Sequence, residues 1–209
     1  MPKKILYILI FTAFIAEGHA QKIIEKQWDA SGISKLVIES DVVFEIEIVS
    51  EKIEAISVST HIHGETSENV VLDVHESNGI LTINTGFTPF FEAQNDKLAA
   101  HKVLAIEMYI KIPESMEVEI DAKIASVEGN GSFKSFVVGL ENGSCRLYNF
   151  TGNARLLTKA GEITVYTTKN AKGQALTREG TIYNELPTTG KFTIYAESST
   201  GAISLFQTK

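Results

Sequence analysis

Two histidines, His61 and His63, stand two residues apart in a stretch of alternating character. On an extended strand such residues share a face. Paired imidazoles can take zinc or copper, with His75 or His101 as a third ligand. No third ligand stands at a fixed spacing, so the simpler reading is a polar outward face beside Thr60 and Glu65. The sequence assigns no metal and no cofactor. A second set is Glu141, Lys159 and Arg178, each two residues before a glycine. Such a column could serve polysaccharide cleavage, but it reads more simply as a solvated ladder of opposite charges, worth about 0.2–1 kcal/mol per pair.

Aromatic residues supply the candidate binding positions. Phe87, Phe90 and Phe91 crowd around Pro89, either as an apolar edge for a partner or as a plug for an open end of the fold, the latter favoured. Tyr148 and Tyr166 fall at equivalent points of a repeat and would stack, as a platform for sugar or as a ladder that stabilises a sheet. Cys145, the single cysteine, forms no internal disulfide and falls in an apolar column, as a small core residue does. Asn130, Asn142 and Asn149 match the glycosylation sequon but recur with the turns, and they read as turn residues. There is no phosphate-cradling glycine loop, no nucleophile elbow and no paired-cysteine motif. No catalytic residue is assigned, and the chain reads as a non-enzyme.

The elements that would position these residues are strands. The run 36–60 alternates, most plainly in Phe44-Glu45-Ile46-Glu47-Ile48, apolar on one face and acidic on the other. Val70, Leu72 and Val74 alternate before Asn78-Gly79, a hairpin turn into 80–83. Residues 86–102 break the rhythm, with a short helical turn expected over 96–101. Strands resume over 103–112 and 118–124. The tail then repeats one phrase: GSCRLY, GEITVY, GTIYNE and GAISLF begin at glycines 143, 161, 180 and 201, in steps of 18, 19 and 21 residues. A step of about 20 residues with one short strand per glycine predicts stacked coils. Aligned on glycine, Cys145, Ile163, Ile182 and Ile203 line the interior, as do Leu147, Val165 and Leu205. Asn184 interrupts that second column, which requires a bend or an asparagine bonded to backbone.

The expected class is all-β: a single-stranded, right-handed β-helix or β-solenoid, hairpin-rich in its first half, with glycine-marked coils over about 126–209. Whether 21–125 closes as a separate unit is open. Lys3 and Lys4, an apolar run over 5–16 and Gly18-His19-Ala20 read as a secretory signal peptide over 1–20, cleaved before Gln21. The run is too short to span a bilayer, which takes about 20 residues. Cleavage removes two positive charges and one negative one, taking the formal net charge from −7 to −8. That balance argues against nucleic acid or anionic lipid as partners.

Hairpins such as LVIESDVVFEIEIVSEK followed by TKAGEITVY and SSTGAISLF resemble the family called "putative auto-transporter adhesin, head GIN domain" and its relative, the adhesin β-strand repeat. The resemblance covers nearly all of 21–209. It implies a secreted, β-helix-like fold common in Bacteroidetes, and it carries over no binding or catalytic position. The expected function is binding or adhesion at the cell envelope, periplasmic or surface-located, toward a glycan or an envelope protein. A periplasmic scaffold or sensor using 86–102, and a carbohydrate-active enzyme, are the alternatives.

Overall fold

The structure is a computed structural model that describes residues 21–64, 67–89, 104–168 and 170–208. Fifteen strands make one sheet among these residues. They are β1 (Gln21–Asp29), β2 (Lys35–Ser40), β3 (Glu45–Glu51), β4 (Ala55–His63), β5 (Val70–Ser77), β6 (Ile80–Phe87), β7 (Ala105–Pro113) and β8 (Glu117–Ile124). The remainder are β9 (Ser126–Asn142), β10 (Cys145–Ala160), β11 (Ile163–Thr167), β12 (Ala171–Glu179), β13 (Ile182–Asn184), β14 (Phe192–Thr200) and β15 (Ile203–Gln207). Alternation puts Ile46 and Ile48, Val118 and Ile120, and Ile106, Met108 and Ile110 inside, all buried. Each such side chain contributes roughly 1.5–3 kcal/mol by leaving water.

The sheet has two limbs. One runs β1–β4–β7–β3–β9–β10–β11–β15–β13, and the other runs β5–β6–β2–β8–β9–β10–β14–β12. Strands β9 and β10 belong to both. Ser126–Asn130 of β9 pairs with β3, whereas its stretch from Ser135 onward pairs with β8. The bends that carry these strands from one limb to the other fall at Gly131 and Gly152. Phe133, Phe136 and Phe150 fill the space at the bends, with Phe133 4.8 Å from Phe136 and 5.7 Å from Phe150, centroid to centroid. Both limbs face one core that extends from Ile33 to Leu205. Strands of both halves share this sheet and core: β2–β3 and β6–β7 are rungs of the same stack, each with one strand per limb.

The glycine register is as expected. Cys145 pairs with Val127 and Ile163, Ile163 with Ile203, and Ile203 with Ile182. The order is not. The last phrase, at Gly201, sits between those at Gly161 and Gly180, because β15 pairs with both β11 and β13. At the other end β6–β7 lies outside β2–β3. The rungs are all-β, curled and permuted at both ends, and this topology does not describe a regular right-handed β-solenoid. The permutation also corrects the charge column. Lys159 meets Glu141 at 2.7 Å, but β14 lies between β10 and β12, so Ser199 separates Lys159 from Arg178. Ile182 and Asn184, expected inside, lie on the terminal rung and are exposed. Asn184 does bond to backbone, donating from Nδ2 to the Gly173 carbonyl at 3.2 Å and accepting at Oδ1 from the Leu186 N–H.

A corner column holds the rungs together. The N–H of Gly143 donates to the Ala160 carbonyl, that of Gly161 to Thr200, and that of Gly201 to Glu179. The backbones come so close that a Cβ on Gly161 would lie 1.8 Å from the Gly143 carbonyl oxygen, at a φ of +149°. The other ends of the limbs differ. At the β1 end, antiparallel strands β4 and β1 extend one limb and β5 the other. There Lys22 Nζ donates to the Val70 carbonyl at 3.0 Å and Lys26 Nζ to that of Leu72 at 3.4 Å, joining the two edges. At the β12–β13 end, Leu176, Ile182 and Tyr183 are exposed. The hairpin at Asn78-Gly79 is present, with positive φ at both residues. The signal-peptide assignment over 1–20 and the helical turn over 96–101 lie outside the described residues.

Two outcomes follow from this packing. Gly161→Ala meets carbonyl backbone and a disfavoured φ together and should destabilise by roughly 2–5 kcal/mol in urea unfolding. Gly32→Ala, at a φ of +94° with open space around it, should lose only about 1 kcal/mol. Burial pushes the Cys145 thiol up to about 12, so a thiol reagent should leave the folded protein unlabelled at pH 8 and titrate one thiol after unfolding.

Candidate functional site

The outward face of β1, β4 and β7 gathers the polar side chains. Ile56, Val58, Thr60 and Ile62 of β4 point inward and are buried, which turns Ser57, Ser59, His61 and His63 outward. On β7 the inward run Ile106–Met108–Ile110–Ile112 likewise turns Glu107, Tyr109 and Lys111 outward. Antiparallel register then sets His61 opposite Glu107, Ser59 opposite Tyr109 and Ser57 opposite Lys111. On the other flank β1 sets Glu25 beside Ser59 and Gln27 beside Ser57. Small serines between longer neighbours leave a groove of about 500 Å³, lined by Glu25, Gln27, Ser57, Ser59, Tyr109 and Lys111 among others.

Charge on this face is mostly negative. Glu45 of β3 pairs with Glu107, and Glu47 pairs with Glu128. Partial burial, then the carboxylates of Glu107, Glu128 and Glu47, raise the Glu45 carboxyl above its ordinary value. Tyr109 donates its hydroxyl to Glu107 Oε2 at 2.9 Å. That hydrogen bond, then burial, then the surrounding carboxylates, push the Tyr109 phenol up to about 12. Arg146 reaches Glu128 at 3.4 Å, and Lys111 reaches Glu51 at 3.7 Å.

His61 and His63 do share a face. Their third neighbour is Glu107, with one ligand atom from each residue within 4.8 Å of the others. Of the two third ligands that the sequence offers, His75 lies on β5 in the other limb opposite Thr82, and His101 lies outside the described residues. Tyr148 and Tyr166 stack as expected, 5.7 Å apart and 7° from parallel. The stack continues through Phe206 at 5.0 Å to Tyr183 at 5.3 Å. Rings stacked side by side along a sheet spend their faces on one another and turn their edges to solvent. A sugar stacks on a ring face, so the interior of this ladder offers it little. Its geometry is that of a sheet stabiliser. Phe87 ends β6 at the rim and is 40% exposed; Phe90 and Phe91 lie outside the described residues.

The groove was not legible beforehand. Strand β1 lacks a clean alternation, and Ser57 and Ser59 carry no motif. The signal in the sequence is parity alone: the alternation over 36–60 turns Ser57 and Ser59 outward, and that over 103–112 does the same for Glu107, Tyr109 and Lys111.

No protein-family model and no curated protein matches the sequence. Among solved structures, the fold is similar to a "putative cell adhesion protein" from Clostridium sporogenes, with a TM-score of 0.67 at 16% identity, over 90% of this chain and 100% of that one. A weaker likeness, with a TM-score of 0.41 at 12% identity over 88% of this chain and 97% of the other, is to a "putative adhesin" from Bacteroides fragilis. A "putative lipid binding protein" from Parabacteroides distasonis gives a TM-score of 0.25 at 11% identity, over 91% and 98% of the two chains. The first likeness shows a shared fold and the other two carry no argument. The chain therefore shares its fold with a protein named for cell adhesion, and membership of the head GIN family is not established by that likeness.

Proposed function

We propose that the protein is an exported, non-enzymatic binding protein of the cell envelope that captures a glycan in the β1–β4–β7 groove. The observation that carries this reading is the groove's lining. Two serine hydroxyls, a glutamine amide, a carboxylate, an ammonium and a tyrosine ring face one concavity on a rigid sheet. Such a set matches a ligand dense in hydroxyl groups, which needs many short-range donors and acceptors and one apolar surface. The fold shared with a protein named for cell adhesion is in keeping with a binding role. The acidic face disfavours polyanionic ligands. No helix among the described residues is long and apolar enough to cross a membrane.

A second reading rests on the β12–β13 end, where Leu176, Ile182 and Tyr183 are exposed beside an edge strand. An envelope protein adding a strand there would cover them.

The glycan reading is tested on an array of neutral polysaccharides. The wild-type chain should bind, Ser57→Tyr should fill the groove and weaken binding at least tenfold, and Tyr148→Ala should bind as the wild type does. Absence of binding across the array, or loss with Tyr148→Ala alone, overturns it. Location is tested by protease treatment of intact cells. Cleavage there places the protein outside, protection until lysis places it in the periplasm, and recovery in the cytosol with residues 1–20 retained overturns export.

A further inference from the structure

We propose that His61, His63 and Glu107 form a binding site for a divalent transition-metal ion, of which zinc is the representative. The site adjoins the groove and shares Ser59 and Tyr109 with it as neighbours of the ligands, but it does not depend on what the groove binds. One ligand atom from each of the three residues lies within 4.8 Å of the others, with all three partly buried. A tetrahedral zinc with ligands at about 2.0–2.2 Å places neighbouring donor atoms roughly 3.3–3.6 Å apart, so small rotations of the side chains close the site. The backbone beneath is fixed. His61 and His63 are held in phase by the buried Ile62 between them, and His61 is held against Glu107 by antiparallel pairing.

Neighbouring groups orient the ligands. Tyr109 donates to Glu107 Oε2 at 2.9 Å, which leaves Oε1 for the ion. Ser59 Oγ lies 3.1 Å from His61 Nε2, which leaves Nδ1 available. The Tyr109 ring tilts against the His61 imidazole with centroids 5.2 Å apart and limits its rotation. Hydrogen-bonded neighbours of this kind set ring and carboxylate orientation in metal sites. Glu45 lies in the strand next to Glu107, and the repulsion among these carboxylates is relieved by a bound dication. Two imidazoles with one carboxylate select zinc, copper or cobalt over calcium and magnesium, which prefer oxygen alone. Three protein ligands leave a coordination position open to solvent.

The test is calorimetric titration of the untagged chain from Gln21 with zinc chloride in a non-chelating buffer, beside cobalt(II) absorption. One ion per chain should bind, with the visible bands of a low-symmetry cobalt site. His61→Ala, His63→Ala and Glu107→Gln should each weaken zinc at least tenfold, and His75→Ala should not. Zinc should raise the melting temperature of the wild type, whereas calcium at the same concentration should not. Circular dichroism of the three variants separates loss of ligands from loss of fold; if Glu107→Gln fails to fold, the two histidine variants decide the matter. The site is overturned if the wild type takes no zinc at millimolar concentration. It is overturned equally if a folded His61→Ala, His63→Ala double variant binds as the wild type does, or if calcium shifts the melt as zinc does.

Discussion

The backbone contact down the glycine corner is the constraint on which the rest depends. Each corner N–H donates to the rung beyond it, and the carbonyl of one glycine rests where the side chain of the next would begin. A rung can approach its neighbour at the strand spacing of about 4.8 Å only if the corner is free of Cβ atoms. Once the corner is set, the apolar columns Val127–Cys145–Ile163–Ile203 and Leu147–Val165–Leu205 fall into line. The aromatic ladder is set by the same register. The outward face is a by-product of this order, since every residue between two inward ones is turned to solvent with its phase already fixed.

That dependence explains which parts of the fold were legible in the chain. Period-two alternation and the repeated glycine phrase are local signals, and they gave the strands, the inward columns and the shared face of His61 and His63. The order of the rungs is a different kind of quantity. The phrases at Gly180 and Gly201 share the glycine and the isoleucine two residues on, which set the register beside Gly161, and the polar Asn184 marks its rung as irregular without saying where in the stack it lies. The choice is made by long-range packing: Asn184 and the exposed Ile182 suit an outermost rung, whereas Ile203 and Leu205 suit a buried one. Glu107 escaped for a related reason. Its pairing with His61 depends on β4 running antiparallel to β7 across more than forty residues of chain, and no turn motif announces that.

The face that results is chemically uneven. Around Glu45 the carboxylates of three strands converge and penalise one another, while at the corner column almost every polar group is satisfied by backbone. The raised Glu45 carboxyl lies on the outward side of one limb, away from the corner. The aromatic ladder lies farther along that limb, where its rings lock β10, β11, β15 and β13 without adding charge. A sheet of this kind can tolerate an electrostatically unfavourable patch because its cohesion resides in the other face and in the corner.

The position of the last rung bears on the order in which the chain can be built. Among the described residues, strand β12 pairs only with β14, and β13 only with β15. As the chain is synthesised, 171–184 emerges before either partner exists and must wait, unpaired, until 192–207 slides in beneath it. The C-terminal rung is therefore a keystone. A ribosome that stalls before it leaves two rungs unfinished, and a mutation within it removes support from a segment that precedes it in sequence. Lengthening such a protein by appending another repeat would not extend the stack from its tip, because the tip belongs to an earlier part of the chain.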